Sequence, residues 1–122
     1  MRLARGSATP AQSRGAEAED RAARFLAQQG LDIVARNYRT RFGEIDLIAR
    51  DGAVLVFVEV RMRSSEGFGG AAGSVDSRKQ SRIVAAARQF LASLTREPPC
   101  RFDVVTLEGG APKWLRGAFE AA

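Results

Sequence analysis

The stretch from Gly43 to Arg61 constrains this chain more than any other. Gly43 to Arg50 and Ala53 to Arg61 read as two strands, the second rich in Val and Phe as a central strand requires, and Asp51-Gly52 between them is a strong two-residue hairpin signal. With Asp51-Gly52 as the loop, Arg50 pairs with Ala53, Asp46 with Phe57 and Glu44 with Glu59. Side chains alternate along a strand, so Glu44, Asp46, Glu59 and Arg61 share one face. Ile45, Leu47, Val56, Val58 and Val60 fill the other, which reads as a core face. Asp46 and Glu59 are then diagonal neighbours about 7–8 Å apart, near enough for two carboxylates to meet one cation. A three-residue loop would reverse the parity and put Glu59 on the face away from Asp46. Leu55 and Phe57 share the acidic face, so part of it is expected to be covered, and buried carboxylates need partners or a metal. Without a cation their repulsion raises one pKa; a hard divalent ion such as Mg²⁺ relieves it and suits oxygen ligands. The competing reading is a solvated face whose acids pair with nearby arginines.

The flanking sequence supplies the rest of an α/β domain. Gly15 to Gln29 reads as a helix, with Ala18, Ala22, Phe25 and Leu26 on one stripe and Gly30 as its stop. Leu31 to Tyr38 reads as a first strand. Met62 to Ser74 carries Gly67, Gly69, Gly70 and Gly73, a composition that predicts a mobile loop. Val75 to Leu94 reads as a second helix, with Val75, Ile83, Ala87, Phe90, Leu91 and Leu94 on its apolar face and Arg78, Lys79, Arg82 and Arg88 making it basic. Pro98-Pro99 breaks the chain. Arg101 to Leu107 reads as a strand and Lys113 to Phe119 as a short edge strand; Trp114 and Phe119 read as core or interface residues. The order predicts a mixed central β-sheet flanked by helices. Residues 1–14 are expected to be a basic arm without fixed structure, and residues 15–122 a single domain.

Composition narrows the chemistry. Among 122 residues there is no histidine, which removes Ser-His-Asp triads, Cys-His pairs and histidine metal sites. Cys100 is the only cysteine, so CxxC zinc clusters and an internal disulfide are excluded, and a reducing, cytoplasmic setting is expected. The longest purely apolar run, Ala53 to Val58, is far short of the ~20 residues that span a bilayer. Net charge is +5, and of the 19 cations all but Lys79 and Lys113 are arginine. Guanidinium is permanently charged and binds phosphate bidentately. The balance favours an acidic partner such as nucleic acid without requiring one.

Asp46 followed by Glu59-Val60-Arg61 resembles the PD-(D/E)xK nuclease motif, an acid followed on the next strand by Glu-x-Lys. Gly43-Glu44-Ile45-Asp46-Leu47-Ile48-Ala49, with Val56-Phe57-Val58-Glu59-Val60, resembles the YraN family of bacterial proteins, which is related to the archaeal Holliday junction resolvases. The resemblance covers nearly the whole chain. Gly15 and Glu19-x-x-Ala22 match the family's first helix, Asn37-Tyr38-Arg39 its first strand, Val75 and Lys79 its second helix, and Arg101-Phe102-Asp103-Val104-Val105 a late strand.

The resemblance implies a restriction-endonuclease-like core and a DNA endonuclease that hydrolyses phosphodiesters with Mg²⁺ or Mn²⁺, on branched or single-stranded substrates. It implies that Asp46, Glu59 and the Val60 carbonyl ligate the metal. Glu19 matches an acid that related nucleases bring from the first helix; its other reading is a surface charge. Arg63, Arg78 and Arg82 would hold phosphates without reading bases. Related resolvases are dimers, so a homodimer is the implied assembly. One departure stands out: the motif lysine is Arg61 here, and arginine cannot give up its proton in a protein. Either Arg61 acts electrostatically, or Lys79 supplies the ammonium from the second helix, or the chain binds nucleic acid without cutting it. A further alternative is a metal-free accessory protein whose basic helix meets a protein partner.

Overall fold

Period-two alternation in the middle of the chain and helical stripes on either side of it become one sheet between two helices. The computed structural model describes residues 10–62 and 75–121, with residues 10–14 in backbone only. In chain order the elements are α1 (Pro10–Gln28), β1 (Asp32–Arg39), β2 (Glu44–Asp51), β3 (Val54–Arg61), α2 (Ser77–Ala92), β4 (Cys100–Thr106) and β5 (Lys113–Phe119). The strands stand side by side in that same order. β1, β2 and β3 are antiparallel neighbours, β4 runs parallel to β3, and β5 returns antiparallel at the edge. A parallel neighbour needs a crossover connection, and α2 lies within it. The expected α/β architecture is the one observed, and it is compatible with a restriction-endonuclease-like core. Among the described residues no helix is long and apolar enough to cross a membrane.

Element ends differ from the sequence reading where local chemistry decides them. α1 opens at Pro10, upstream of the expected Gly15, so residues 10–14 of the expected arm are helical; proline is well tolerated in a first helical turn. Residues 1–9 of that arm and residues 63–74 of the expected loop lie outside the described residues. α2 starts at Ser77 because Asp76 caps it, its carboxylate accepting the Lys79 N–H at 2.9 Å.

The sheet has two apolar faces, each covered by one helix. Leu47, Ala49, Val56 and Val58 pack with Ala18, Ala22 and Leu26 of α1. Ile45, Ile48, Leu55 and Phe57 pack with Ile83, Ala86 and Ala87 of α2. The second face carries a row of rings: Phe57 stacks on Phe102 at 5.4 Å and Phe102 on Phe119 at 5.0 Å. On the first face Phe25 meets Trp114 edge-on at 6.0 Å, so both C-terminal aromatics pack, partly buried, against the core.

The hairpin register is displaced from the expected one. Asp51 pairs with Val54 and Leu47 with Val58, so the two-residue loop is Gly52-Ala53, not Asp51-Gly52. Gly52 takes φ +61, the left-handed value that a type II′ turn requires at its first central position. Asp51 is held in the strand by Arg101, whose Nη2 donates to its Oδ2 at 3.0 Å. The shift is by two residues along the pairing, which preserves parity and hence the facing of most side chains. Ile45 is the exception: it was expected beside Leu47 but lies on the α2 side.

Asp103 ties β4 to β5. Fully buried, it accepts from Trp114 Nε1 at 2.9 Å, the Gly117 N–H at 2.9 Å and Arg101 Nε at 3.0 Å. Removing the carboxylate leaves three donors without their partner. Asp103→Ala is expected to destabilise the fold by about 3–5 kcal/mol, measured as a lower urea midpoint at unchanged m-value.

Candidate active site

β2 breaks its own alternation at one residue, and that residue is Asp46. Leu47 and Ala49 face α1, Ile48 faces α2, yet Ile45 also faces α2. The neighbouring strand breaks with it. Arg36 pairs with Leu47 and Tyr38 with Ile45, which sets Asn37 beside Asp46. Asn37 has φ 51, the one positive value at a non-glycine residue among the described residues. Asparagine enters that region at lower cost than bulkier residues, and the turn it makes lets Tyr38 and Ile45 change sides together. Asp46 is thereby released from both packed faces and sits at the end of the β2–β3 ladder.

Its carboxylate is then caught by the next strand. Val60 N–H donates to Asp46 Oδ2 at 2.8 Å. The last ladder pair is Leu47 with Val58, and one further step in that register puts Asp46 opposite Glu59. The two acids were expected to be diagonal, with Glu44 facing Glu59. The displaced turn makes Asp46 and Glu59 direct neighbours instead, which brings their charges closer.

Cations meet them from β3 and α2. Glu59 Oε2 lies 3.1 Å from Lys79 Nζ and 3.3 Å from Arg61 Nη1, and the Glu59 side chain is only 4% exposed. Lys79 reaches it because the Asp76 cap fixes that residue in the first turn of α2. Gly15, Ala18 and Glu19 of α1 close the other side of a cavity of about 280 Å³ that Glu44, Asp46, Glu59, Arg61 and Lys79 also line. Burial first, and then the facing Glu59 charge, push the Asp46 carboxyl from its ordinary 3.8 up to about 8. Glu19 is also raised, by burial first and by Glu44. Its hydrogen bond with Asn37 and the charges of Arg36 and Arg39 act in the opposite sense.

Of the residues singled out from sequence, Glu19, Asp46, Glu59, Val60, Arg61 and Lys79 line this one cavity. Arg82 lines the adjoining one. Arg78 is exposed on α2 and lines neither, and Arg63 lies outside the described residues. Sequence reasoning put Glu44 on the acidic face without naming it a site residue, and missed Asn37 as the hinge of β1. An asparagine inside a strand, where that residue is uncommon and tolerates positive φ, was the available signal for this hinge. Among the described residues, no three His, Cys, Asp or Glu side chains close on a common point. Any ion here would take the Asp46 and Glu59 carboxylates, the Val60 carbonyl and water. That all-oxygen set, with two carboxylates and room for water, fits Mg²⁺ or Mn²⁺.

The chain matches the model of a family described as uncharacterised protein family UPF0102 over residues 18–107. The chain belongs to the UPF0102 family. A UPF0102 protein of Cupriavidus taiwanensis is 61% identical over 112 residues, covering 90% of this chain and 85% of its own. One of Nitrosomonas europaea is 51% identical over 111 residues, covering 88% and 94%. One of Bordetella parapertussis is 52% identical over 122 residues, covering 95% and 69%. The YraN resemblance drawn from the GEIDLIA and FVEV blocks is borne out. Glu19, Asp46, Glu59, Arg61 and Lys79 all fall inside the UPF0102 match.

The acid pair gives this UPF0102 protein a pH signature. Asp46 holds its proton more tightly folded than unfolded, so the folded state is the better proton binder between about 4 and about 8. Its contribution to stability is therefore greatest below the ordinary carboxylate range and is lost as pH rises through 8. Asp46→Asn keeps an acceptor for Val60 N–H and removes the charge. In metal-free buffer its melting temperature is expected to exceed the parent's by several degrees at pH 8, and the gap is expected to shrink toward pH 5, as followed by scanning calorimetry.

Proposed function

We propose that this protein is a metal-dependent DNA endonuclease that hydrolyses phosphodiesters in the manner of the PD-(D/E)xK enzymes. The observation that carries the reading is the opposition of Asp46 and Glu59 at the open end of the β2–β3 ladder, with Lys79 Nζ 3.1 Å from Glu59. Two carboxylates facing each other in a mostly buried site are costly unless a cation joins them. A divalent ion held by Asp46, Glu59 and the Val60 carbonyl would supply Lewis-acid polarisation of a phosphoryl oxygen and a more acidic water.

The chain's own groups supply the rest. Val60 N–H fixes Asp46 in one orientation, so its carboxylate is set before substrate arrives. Arg61 keeps its charge throughout and cannot serve as a base; it stands beside Glu59 as an electrostatic partner. Lys79 offers the ammonium that the motif normally carries on the strand. From the first turn of α2 it faces the same carboxylate and can offset negative charge building on the phosphoryl oxygens. Glu19 adds a further carboxylate from α1, beside Glu44, to the cavity lining.

Purified protein is expected to cut branched or single-stranded DNA in Mn²⁺ or Mg²⁺ and to take up the metal by calorimetry. Asp46→Ala and Glu59→Gln are expected to abolish both. Lys79→Ala is expected to bind metal normally and cut roughly 10²–10³-fold more slowly, while Arg61→Lys retains cutting. Undiminished cutting by the two carboxylate variants would overturn the proposal. Strand binding without metal uptake or cutting would leave a nucleic-acid-binding module instead.

A further inference from the structure

Among the described residues three large apolar side chains are exposed: Val34 at 43%, Phe42 at 50% and Met62 at 50%. Two of them flank the acid cavity. Met62 lines it directly. Phe42 lines a second cavity, of about 420 Å³, which shares Glu44 and Lys79 with the first. That second cavity is basic. Arg39, Arg41, Lys79 and Arg82 line it against the single carboxylate of Glu44, and Arg41 lies over the Phe42 ring at 5.4 Å from its centroid.

Phe42 is held outward by a braced turn. Thr40 Oγ1 accepts the N–H groups of Phe42 at 3.0 Å and Gly43 at 3.1 Å, and Thr40 N–H donates to the Gly43 carbonyl at 2.8 Å. Gly43 is pressed against α2 so closely that a Cβ there would overlap the Arg82 backbone carbonyl. The ring and the arginines around it are thus anchored to the same helix that carries Lys79.

We infer that the β1–β2 turn and Arg82 form a cradle for an unpaired DNA strand, in which Phe42 stacks on a base while Arg39, Arg41 and Arg82 take the flanking phosphates. The inference rests on the nuclease reading of the acid cavity and narrows its substrate to an unpaired strand held at a defined site. A cluster of guanidinium groups calls for a polyanion. An aromatic face among them calls for a polyanion with flat apolar faces, which is a nucleic acid strand. Base faces inside a continuous duplex are covered by their neighbours, so the stacking partner must be an unpaired or terminal base. The shared wall at Glu44 and Lys79 leads such a strand from the basic cavity to the carboxylates.

The test is fluorescence anisotropy with a labelled oligonucleotide, single-stranded or annealed to its complement, in EDTA at about 50 mM salt. The parent is expected to bind the single strand more tightly than the duplex. Phe42→Ala is expected to weaken single-strand binding about tenfold and to leave the duplex and the melting temperature unchanged, with Phe42→Tyr restoring affinity. Arg82→Gln is expected to weaken both and to lower the salt slope on the single strand by about 0.7. Unchanged single-strand affinity in Phe42→Ala, or an equal loss on both DNAs, would overturn the cradle. A parent that binds neither DNA would overturn it too, and would assign the basic face to another kind of partner. Cleavage in Mn²⁺ separates the two readings. Asp46-dependent cutting with no Phe42 effect keeps the nuclease and removes the cradle. A Phe42 effect on binding with no cutting keeps the cradle and removes the nuclease.

Discussion

The arrangement depends on a single hydrogen bond at a strand end. Asp46 leaves the regular pattern of β2, and the Val60 N–H of β3 holds its carboxylate at 2.8 Å. The ladder that joins the two strands has its last pair at Leu47 and Val58. Beyond it the backbone donor is satisfied by a side chain, and the space beyond the ladder becomes a cavity. Glu59 stands opposite, Lys79 and Arg61 meet it from α2 and β3, and Glu19 closes over from α1.

The two helices contribute different things to the same end of the sheet. α1 brings small residues, Ala18 and Ala22, which let it lie close to β2 and β3, and it delivers Glu19 to the rim. α2 is positioned by its own core contacts at Ile83, Ala86 and Ala87 and by the tight approach of Gly43 to its backbone. That second contact seats the β1–β2 turn on the helix that carries Lys79, so the basic cavity and the acidic one adjoin along Glu44 and Lys79. Among the described residues no buried side-chain nitrogen or oxygen lacks a partner. The cost at the site is therefore charge, concentrated at Asp46 and Glu59, and not unmade hydrogen bonds.

Much of this was legible from alternation. The pattern of Val56, Val58 and Leu47 against Leu55 and Phe57 identified the two faces of the central hairpin, and it survived a misplaced turn because a shift of two residues keeps parity. The same logic failed at Ile45. It assumes unbroken pleating, and the left-handed Asn37 on the neighbouring strand breaks it. The pairing of Asp46 with Glu59 was likewise expected only as a diagonal, because Asp-Gly outweighed Gly-Ala as a turn signal. Gly52-Ala53 is itself a local type II′ signal, and Arg101, far along the chain, supports the same register by bonding Asp51 within the strand.

Sequence alone carried the α/β class, the central hairpin and the placing of Asp46 and Glu59 on adjacent strands, which rest on short-range periodicity and a two-strand motif; Glu19 and Lys79, on the two helices, were reached only through the YraN resemblance. Tertiary structure decided how they meet. Asp46 and Glu59 became direct neighbours through the observed β2–β3 register, and Lys79 reached Glu59 through the way α2 packs on the sheet. Phe42 faces outward from a turn that rests on that helix at Gly43. These are contacts between segments distant in the chain, and their geometry follows from packing that neighbouring residues do not encode.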